Sequence, residues 1–213
     1  KYSRPIETLV ESSQQISKGD FESDVKVESN IYEIQELEKA HNHMRSGLKT
    51  LMKMESDMKI ARDIQQKTVP HAMPQIRGYE MAGWNSPADQ TGGDTYDAVG
   101  YGKSCDSGDI TIHTENAEQA VLLLSDATGH GIGPALVATQ LRAMLRMGIH
   151  FDADLTQVIR HINCQLHGDL PAGRFISAWF GQISAGSNRL LSFSAGQAPL
   201  LYFSAVKNEV TVL

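Results

Sequence analysis

Two aspartates stand where backbone can come close to a bound group. Asp94 follows paired glycines in Gly92-Gly93-Asp94-Thr95-Tyr96-Asp97. Asp126 ends the apolar run Val121-Leu122-Leu123-Leu124-Ser125 and leads into Ala127-Thr128-Gly129-His130-Gly131. Carboxylates at a turn and at a strand exit suit a hard divalent cation such as Mg²⁺ or Mn²⁺. If they converge, the chain is built around a metal-activated water. Other readings stand beside this one. Gly-Gly-Asp is a common turn. Asp126 could instead cap the helix that opens near Gly133-Pro134, although Gly133 is nearer the cap position. Gly129 and Gly131 would let backbone amides approach an anion at that helix's N-terminus. His130 is a candidate proton donor to a leaving group, or a plain loop residue. Asp97 is a candidate for orienting metal-bound water, or the end of a turn. The remaining histidines share no ligand spacing.

The elements that must position these residues follow from periodicity. Residues 4–17 read as a helix, with Pro5 in its first turn and Ile6, Leu9, Val10 and Ile16 roughly on one face; Gly19-Asp20 stops it. After a polar connector over 21–30, a second helix runs from about Ile31 to Gln66. Its apolar positions Ile34, Leu37, Met44, Leu48, Leu51, Met54, Met58 and Ala61 recur mostly at steps of three and four, as in a coiled-coil seam. His41 dilutes that seam, and the step from Leu51 through Met54 to Met58 implies a register slip. Pro70 and Pro74 close the helical region. Strand-like runs follow at 79–84, 95–101, 110–113 and 120–125, then helices at 134–148 and 155–167, then strands at 174–183, 190–194, 200–203 and 210–213. Strands, two helices, then strands point to an α+β fold with antiparallel sheets. The organisation expected is a helical module over 1–52, a linker helix over 53–75 and a catalytic-type domain over 76–213.

Composition narrows the function classes. Hydrophobic residues make up 41% and charged residues 21% of 213, as in ordinary globular proteins, and the net charge of −6 comes without a basic stripe. Nucleic acid is therefore not an expected partner. Cys105 and Cys164 form no CxxC pattern, which argues against a zinc site or a disulfide framework. No apolar run approaches the roughly 18 residues of a membrane span. The chain opens at Lys1 and stops in strand-like Thr211-Val212-Leu213, so a piece of a longer protein is expected.

Several motifs carry family resemblances. Phe21 after Gly19-Asp20, Glu33-Ile34-x-x-Leu37 and His41-Asn42-x-Met44 together resemble the HAMP signalling module. Ala61-x-x-Ile64-Gln65, Pro70, Pro87-Ala88, Gly92-Gly93-Asp94-x-Tyr96-Asp97, Ser125–Gly131 and Ala195-Gly196-Gln197-Ala198-Pro199-Leu200-Leu201 look like the SpoIIE-type branch of the metal-dependent (PPM) serine/threonine protein phosphatases. The resemblance implies a PPM-type β-sandwich flanked by helices, here C-terminally incomplete. It also implies two Mn²⁺ or Mg²⁺ ions bridged by a water that attacks phosphoserine or phosphothreonine. Carried over, Asp94 and Asp126 would be metal ligands, with the Ala127 backbone carbonyl a possible third. Gln197 stands where the family often has His, and the family's late Thr-Asp-Gly-type acids have no counterpart before Leu213.

The resemblances further imply a homodimer formed through the HAMP and linker helices, a membrane segment upstream of Lys1, and a cytoplasmic location for this portion of a cell-membrane sensor. The implied substrate is a phosphorylated regulatory protein of the anti-sigma-factor-antagonist type. A catalytically inactive phosphatase-like adaptor is the main alternative. A diguanylate cyclase fits less well, because Thr95-Tyr96 replaces the Glu-Phe of its signature.

Overall fold

The computed structural model describes residues 3–85, 92–104 and 109–213. Pro87, Ala88 and Cys105 lie outside these residues. The chain divides into two compact units, Lys1–Ile60 and Ala61–Leu213.

In the first unit, α1 (Ser3–Ser17) ends at Gly19, whose φ of 91° is the left-handed conformation that glycine adopts at no steric cost. The amides of Gly19 and Asp20 then cap the carbonyls of Ile16 and Gln15. The connector to α2 (Tyr32–Thr68) makes no strand. Its backbone is held by α2 side chains instead. The Asn42 carboxamide donates to the Val25 carbonyl at 2.9 Å and accepts from the Val25 amide at 3.0 Å, in the manner of a paired strand. Buried Arg45 pairs with Asp24, and Lys49 with Glu22. Leu9, Ile34 and His41 are buried between the two helices. Ser13 Oγ donates to the Leu9 carbonyl, so its 3.1 Å contact with His41 Nε2 requires that ring nitrogen to be the donor. Leu37, Met44 and Leu51, seven residues apart, stay half-exposed. Among the described residues no helix is long and apolar enough to cross a membrane.

In the second unit, β1 (Thr95–Lys103), β2 (Ile110–Ile112), β3 (Gln119–Ala127), β4 (Ile176–Ser184) and β5 (Leu190–Ala195) form one antiparallel sheet in the order β2-β1-β3-β4-β5. A separate hairpin joins β6 (Leu201–Ser204) to β7 (Glu209–Val212). The architecture is α+β. Helices α3 (Ile132–His150) and α4 (Leu155–Asp169) cover one sheet face. There Val99, Val121, Leu123 and Phe180 pack with Leu141, Leu145, Val158 and Ile162 in a single core. Residues 73–84 lie over part of the other face, near Tyr96, Leu122, Leu124 and Trp179. The expected strand at 79–84 is absent. Of that segment only Tyr79 makes an isolated bridge, to Ile76, because the segment crosses the sheet face and does not extend its edge. Helix α3 starts two residues earlier than Pro134 predicts. Its cap is Gly131, and Pro134 occupies a first-turn position where its missing N–H costs nothing.

Asp97 fastens α3 to the sheet. Its side chain is fully buried and receives Arg146 Nε on Oδ2 and Arg146 Nη2 on Oδ1, both at 2.7 Å. Arg142 Nε lies 2.9 Å from the same Oδ2, but its N–H is not directed at the oxygen, so this second cation acts through charge and not as a hydrogen bond. Removing the acid would leave two partly buried cations without a counter-ion. Asp97→Ala is accordingly expected to lower unfolding stability by about 3 kcal/mol, the lower end for a broken buried pair because both arginines keep some solvent. A urea midpoint that hardly moves would show that this pair does not hold the helix.

Candidate metal and phosphoryl site

The register of β1 against β3 sets the site. Thr95 pairs with Ser125, and the Ala127 amide donates to the Gly93 carbonyl at 3.3 Å, so the ladder continues past the end of β1 and sets Asp94 opposite Asp126. Gly93 with Ala127 is a hydrogen-bonded pair. Asp94 with Asp126 is therefore the intervening narrow pair, in which Cα atoms sit about 4.5 Å apart and side chains come closest. Strand alternation puts both carboxylates on the face opposite α3 and α4. The carboxyl of Asp126 is raised above the ordinary carboxylate range, first by burial, then by the charge of Asp94, and then by a hydrogen bond shared with it. No described ion pair involves either aspartate.

Backbone contacts fix the acids from several sides. A Cβ on Gly93 would strike the Ala127 carbonyl oxygen, so only glycine lets β1 and β3 close at this point. Asn85 Nδ2 donates to the Asp94 carbonyl at 3.1 Å. Gln65, near the end of α2, clasps Gly92: Nε2 donates to the Gly92 carbonyl at 2.6 Å, and Oε1 accepts from the Gly92 amide at 3.3 Å. Ser177 is the β4 partner of Asp126. Its hydroxyl lies 2.8 Å from the Gln197 amide oxygen, to which it donates, and 3.4 Å from the Asp126 carbonyl. The glutamine that departs from the resembled family thus sits one side chain away from the acid pair.

The other expected site residues fall in different places. The N-cap of α3 is Gly131 without a side-chain cap bond, so Asp126 is not that helix's cap. The Ala127 carbonyl lies at the β1–β3 seam beside Gly93. His130 lines a cleft of about 340 Å³ beyond the end of β3, with Thr128, Val137, Arg174 and Phe175 among its other walls. Asp97, expected to orient metal-bound water, is directed to α3 and its arginines. An odd step of three along a strand places it on the face opposite Asp94. Gln65, Asn85, Ser177 and Arg174 were not singled out for the site by their residue types. Only Gln65 carried a signal, as part of the Ala61-x-x-Ile64-Gln65 motif.

Two adjoining carboxylates in no described ion pair offer one divalent cation part of an oxygen shell. Among the described residues no third His, Cys, Asp or Glu joins them. The two-ion set implied by the resemblance therefore needs more anionic oxygen than these residues supply.

Comparison with known proteins defines the class. Residues 3–50 match the HAMP domain. Residues 116–213 match the family described as Stage II sporulation protein E (SpoIIE), a span that includes Asp126 and begins after Asp94. The chain thus carries a match to the HAMP domain followed by a match to the SpoIIE family, in the order the sequence motifs suggest.

Among individual relatives, it is 23% identical to "Phosphoserine phosphatase RsbU" of Bacillus subtilis over 159 residues, covering 73% of this chain and 42% of that protein. It is 21% identical to "Protein IcfG" of Synechocystis sp., covering 94% of this chain and 35% of that protein. The chain spans less than half the length of these curated relatives. Among solved structures, that of the RsbU and RsbW domains of Rv1364c from Mycobacterium tuberculosis matches with a TM-score of 0.42 and 25% identity, covering 55% of this chain and 28% of that one.

The acid pair has a measurable cost. A carboxyl raised in the folded state stabilises the fold while it holds the proton, and that contribution is lost as pH rises through the raised value. At neutral pH, without divalent ions, Asp126→Asn should unfold no more easily than the parent. It should gain less than about 1 kcal/mol, because the pair is largely exposed and screened. The gain should vanish below the ordinary carboxylate range. A variant that is less stable at neutral pH would show that the two carboxylates do not repel.

Proposed function

We propose that the second unit is a metal-dependent phosphoprotein phosphatase domain acting on phosphoserine of a regulatory protein. The observation that carries this reading is the meeting of Asp94 and Asp126 across β1 and β3, with no described ion pair to either. The SpoIIE match and the relative described as a phosphoserine phosphatase support the choice of chemistry. Mn²⁺ or Mg²⁺ is the cation proposed. When bound, it would supply activation of water and neutralisation of phosphoryl charge. Asp94 and Asp126 would hold it, Asn85 and Gln65 would keep the Asp94 segment in place, and Ser177 would support Asp126 from β4. His130 is the proposed proton donor to the leaving group. An anti-sigma-factor-antagonist type of substrate follows from the family resemblance alone.

The same reading includes control. Gln65 belongs to α2, and its two bonds to Gly92 tie the helix to the residues next to Asp94. Rotation or fraying of α2 would release that segment and loosen the acid pair. The half-exposed stripe Leu37, Met44 and Leu51 repeats every seven residues, which suits a second copy of the helix. We place this chain as the cytoplasmic output part of a dimeric membrane sensor.

Two measurements test the proposal. Mn²⁺-dependent release of phosphate from a phosphoserine peptide should fall more than about 100-fold in Asp126→Ala, since even groups that only orient metal ligands are worth about 10- to 100-fold. Phosphate release that persists in the variant would reject the site. Absence of metal-dependent release in the parent, with Mn²⁺ binding intact, would favour the adaptor alternative. Cysteines introduced at Leu51 should cross-link between two copies, and a strictly monomeric chain would remove the dimeric switch.

A further inference from the structure

We propose that Arg174 is a substrate-binding residue that grips the phosphoryl group of a phosphopeptide, and that the cleft beside it receives an apolar side chain flanking the phosphorylated residue. This inference rests on the phosphatase reading and names how that same site recognises its substrate.

The placement of Arg174 comes from three local bonds. The Thr128 amide donates to the Phe175 carbonyl at 3.0 Å, and the Phe175 amide donates to Thr128 Oγ1 at 3.2 Å. The residues just beyond Asp126 are thereby pinned to the residues entering β4. Arg174 Nη1 then donates to the Thr128 carbonyl at 3.0 Å. Its guanidinium lies against Gly129, where a Cβ would strike Nη1 and where φ is 99°. A glycine at this position is what lets the cation rest on the loop.

The charge balance and the shape of the cleft suggest an occupant. Arg174 is exposed and forms no described ion pair, and the Thr128 carbonyl takes one of its five N–H donors. The donors left over suit an oxyanion, for which a planar guanidinium is well matched. A dianionic phosphoryl group nearing two aspartates would be repelled, and a cation fixed two residues beyond Asp126 opposes that repulsion. The cleft of about 340 Å³ runs from Ala127 and Thr128 past His130 to Arg174. Val137, Leu170, Pro171 and Phe175 give it apolar walls, so a free phosphate ion would leave much of it unfilled. An oxyanion joined to an apolar group fits both parts, and a phosphoserine peptide has that composition.

The test uses the whole chain and a fluorescent peptide carrying phosphoserine beside a leucine, compared with the same peptide unphosphorylated. Without divalent metal, the parent should prefer the phosphorylated form. Arg174→Ala should reduce that preference about 10- to 100-fold, the range for a hydrogen bond to a charged group. Arg174→Lys should retain part of it. Unchanged urea midpoints would show that the variants are folded. With Mn²⁺, Arg174→Ala should raise KM for the phosphopeptide far more than it lowers kcat. A parent without preference, or an Arg174→Ala variant with its preference and KM intact, would overturn the assignment of Arg174. Phosphate-dependent binding without any turnover would instead sink the phosphatase reading and leave Arg174 as the anchor of a binding site.

Discussion

The pairing of β1 with β3 is the constraint on which the site depends. One register puts Gly93 against Ala127, Asp94 against Asp126 and Thr95 against Ser125. A slip by a single residue would turn one carboxylate toward α3 and leave the other on the opposite face. The register is held where slippage would cost most. Val99, Val121 and Leu123 must face the helices, and Gly93 is the residue that lets the strands close at the site. The packing of the core and the geometry of the acid pair are thus set by the same ladder.

Charge is distributed across the two sheet faces in opposite senses. On the helical side, Asp97 is buried under two arginines and neutralised with charge to spare. On the other side, Asp94 and Asp126 face each other across the ladder and take part in no described ion pair. These carboxylates occur within a few residues of each other in sequence or across one ladder, yet their surroundings assign them different work. One holds α3 to the sheet. The other two store repulsion that a bound cation would relieve.

Much of this organisation was legible in the chain. Long stretches with a clear period gave both long N-terminal helices, α3, α4 and the order of the strands, with ends displaced by a residue or two. Asp94 and Asp126 stood out because glycines and a strand exit flank them. The segment at 79–84 misled because β-type composition describes a half-buried extended chain whether or not it joins a ladder. Asp97 misled because its closeness to Asp94 in sequence hides the reversal of faces along a strand. Ser177 and Arg174 were silent for another reason. Their relation to Asp126 and Thr128 exists only through the β3–β4 pairing, some fifty residues away in the chain, and no local pattern records it.

The clasp of Gln65 on Gly92 carries a consequence for signalling. A carboxamide that gives one hydrogen bond to a residue's carbonyl and takes one from the same residue's amide works as a two-pronged plug, and both prongs must seat together. Each residue along an α-helix turns its side chain by about 100° and advances it about 1.5 Å, so sliding α2 by even one position would unseat donor and acceptor at once. Intermediate settings have no bond to keep. A gradual twist arriving along the helix would therefore reach the aspartates as a sharp step, engaged or released.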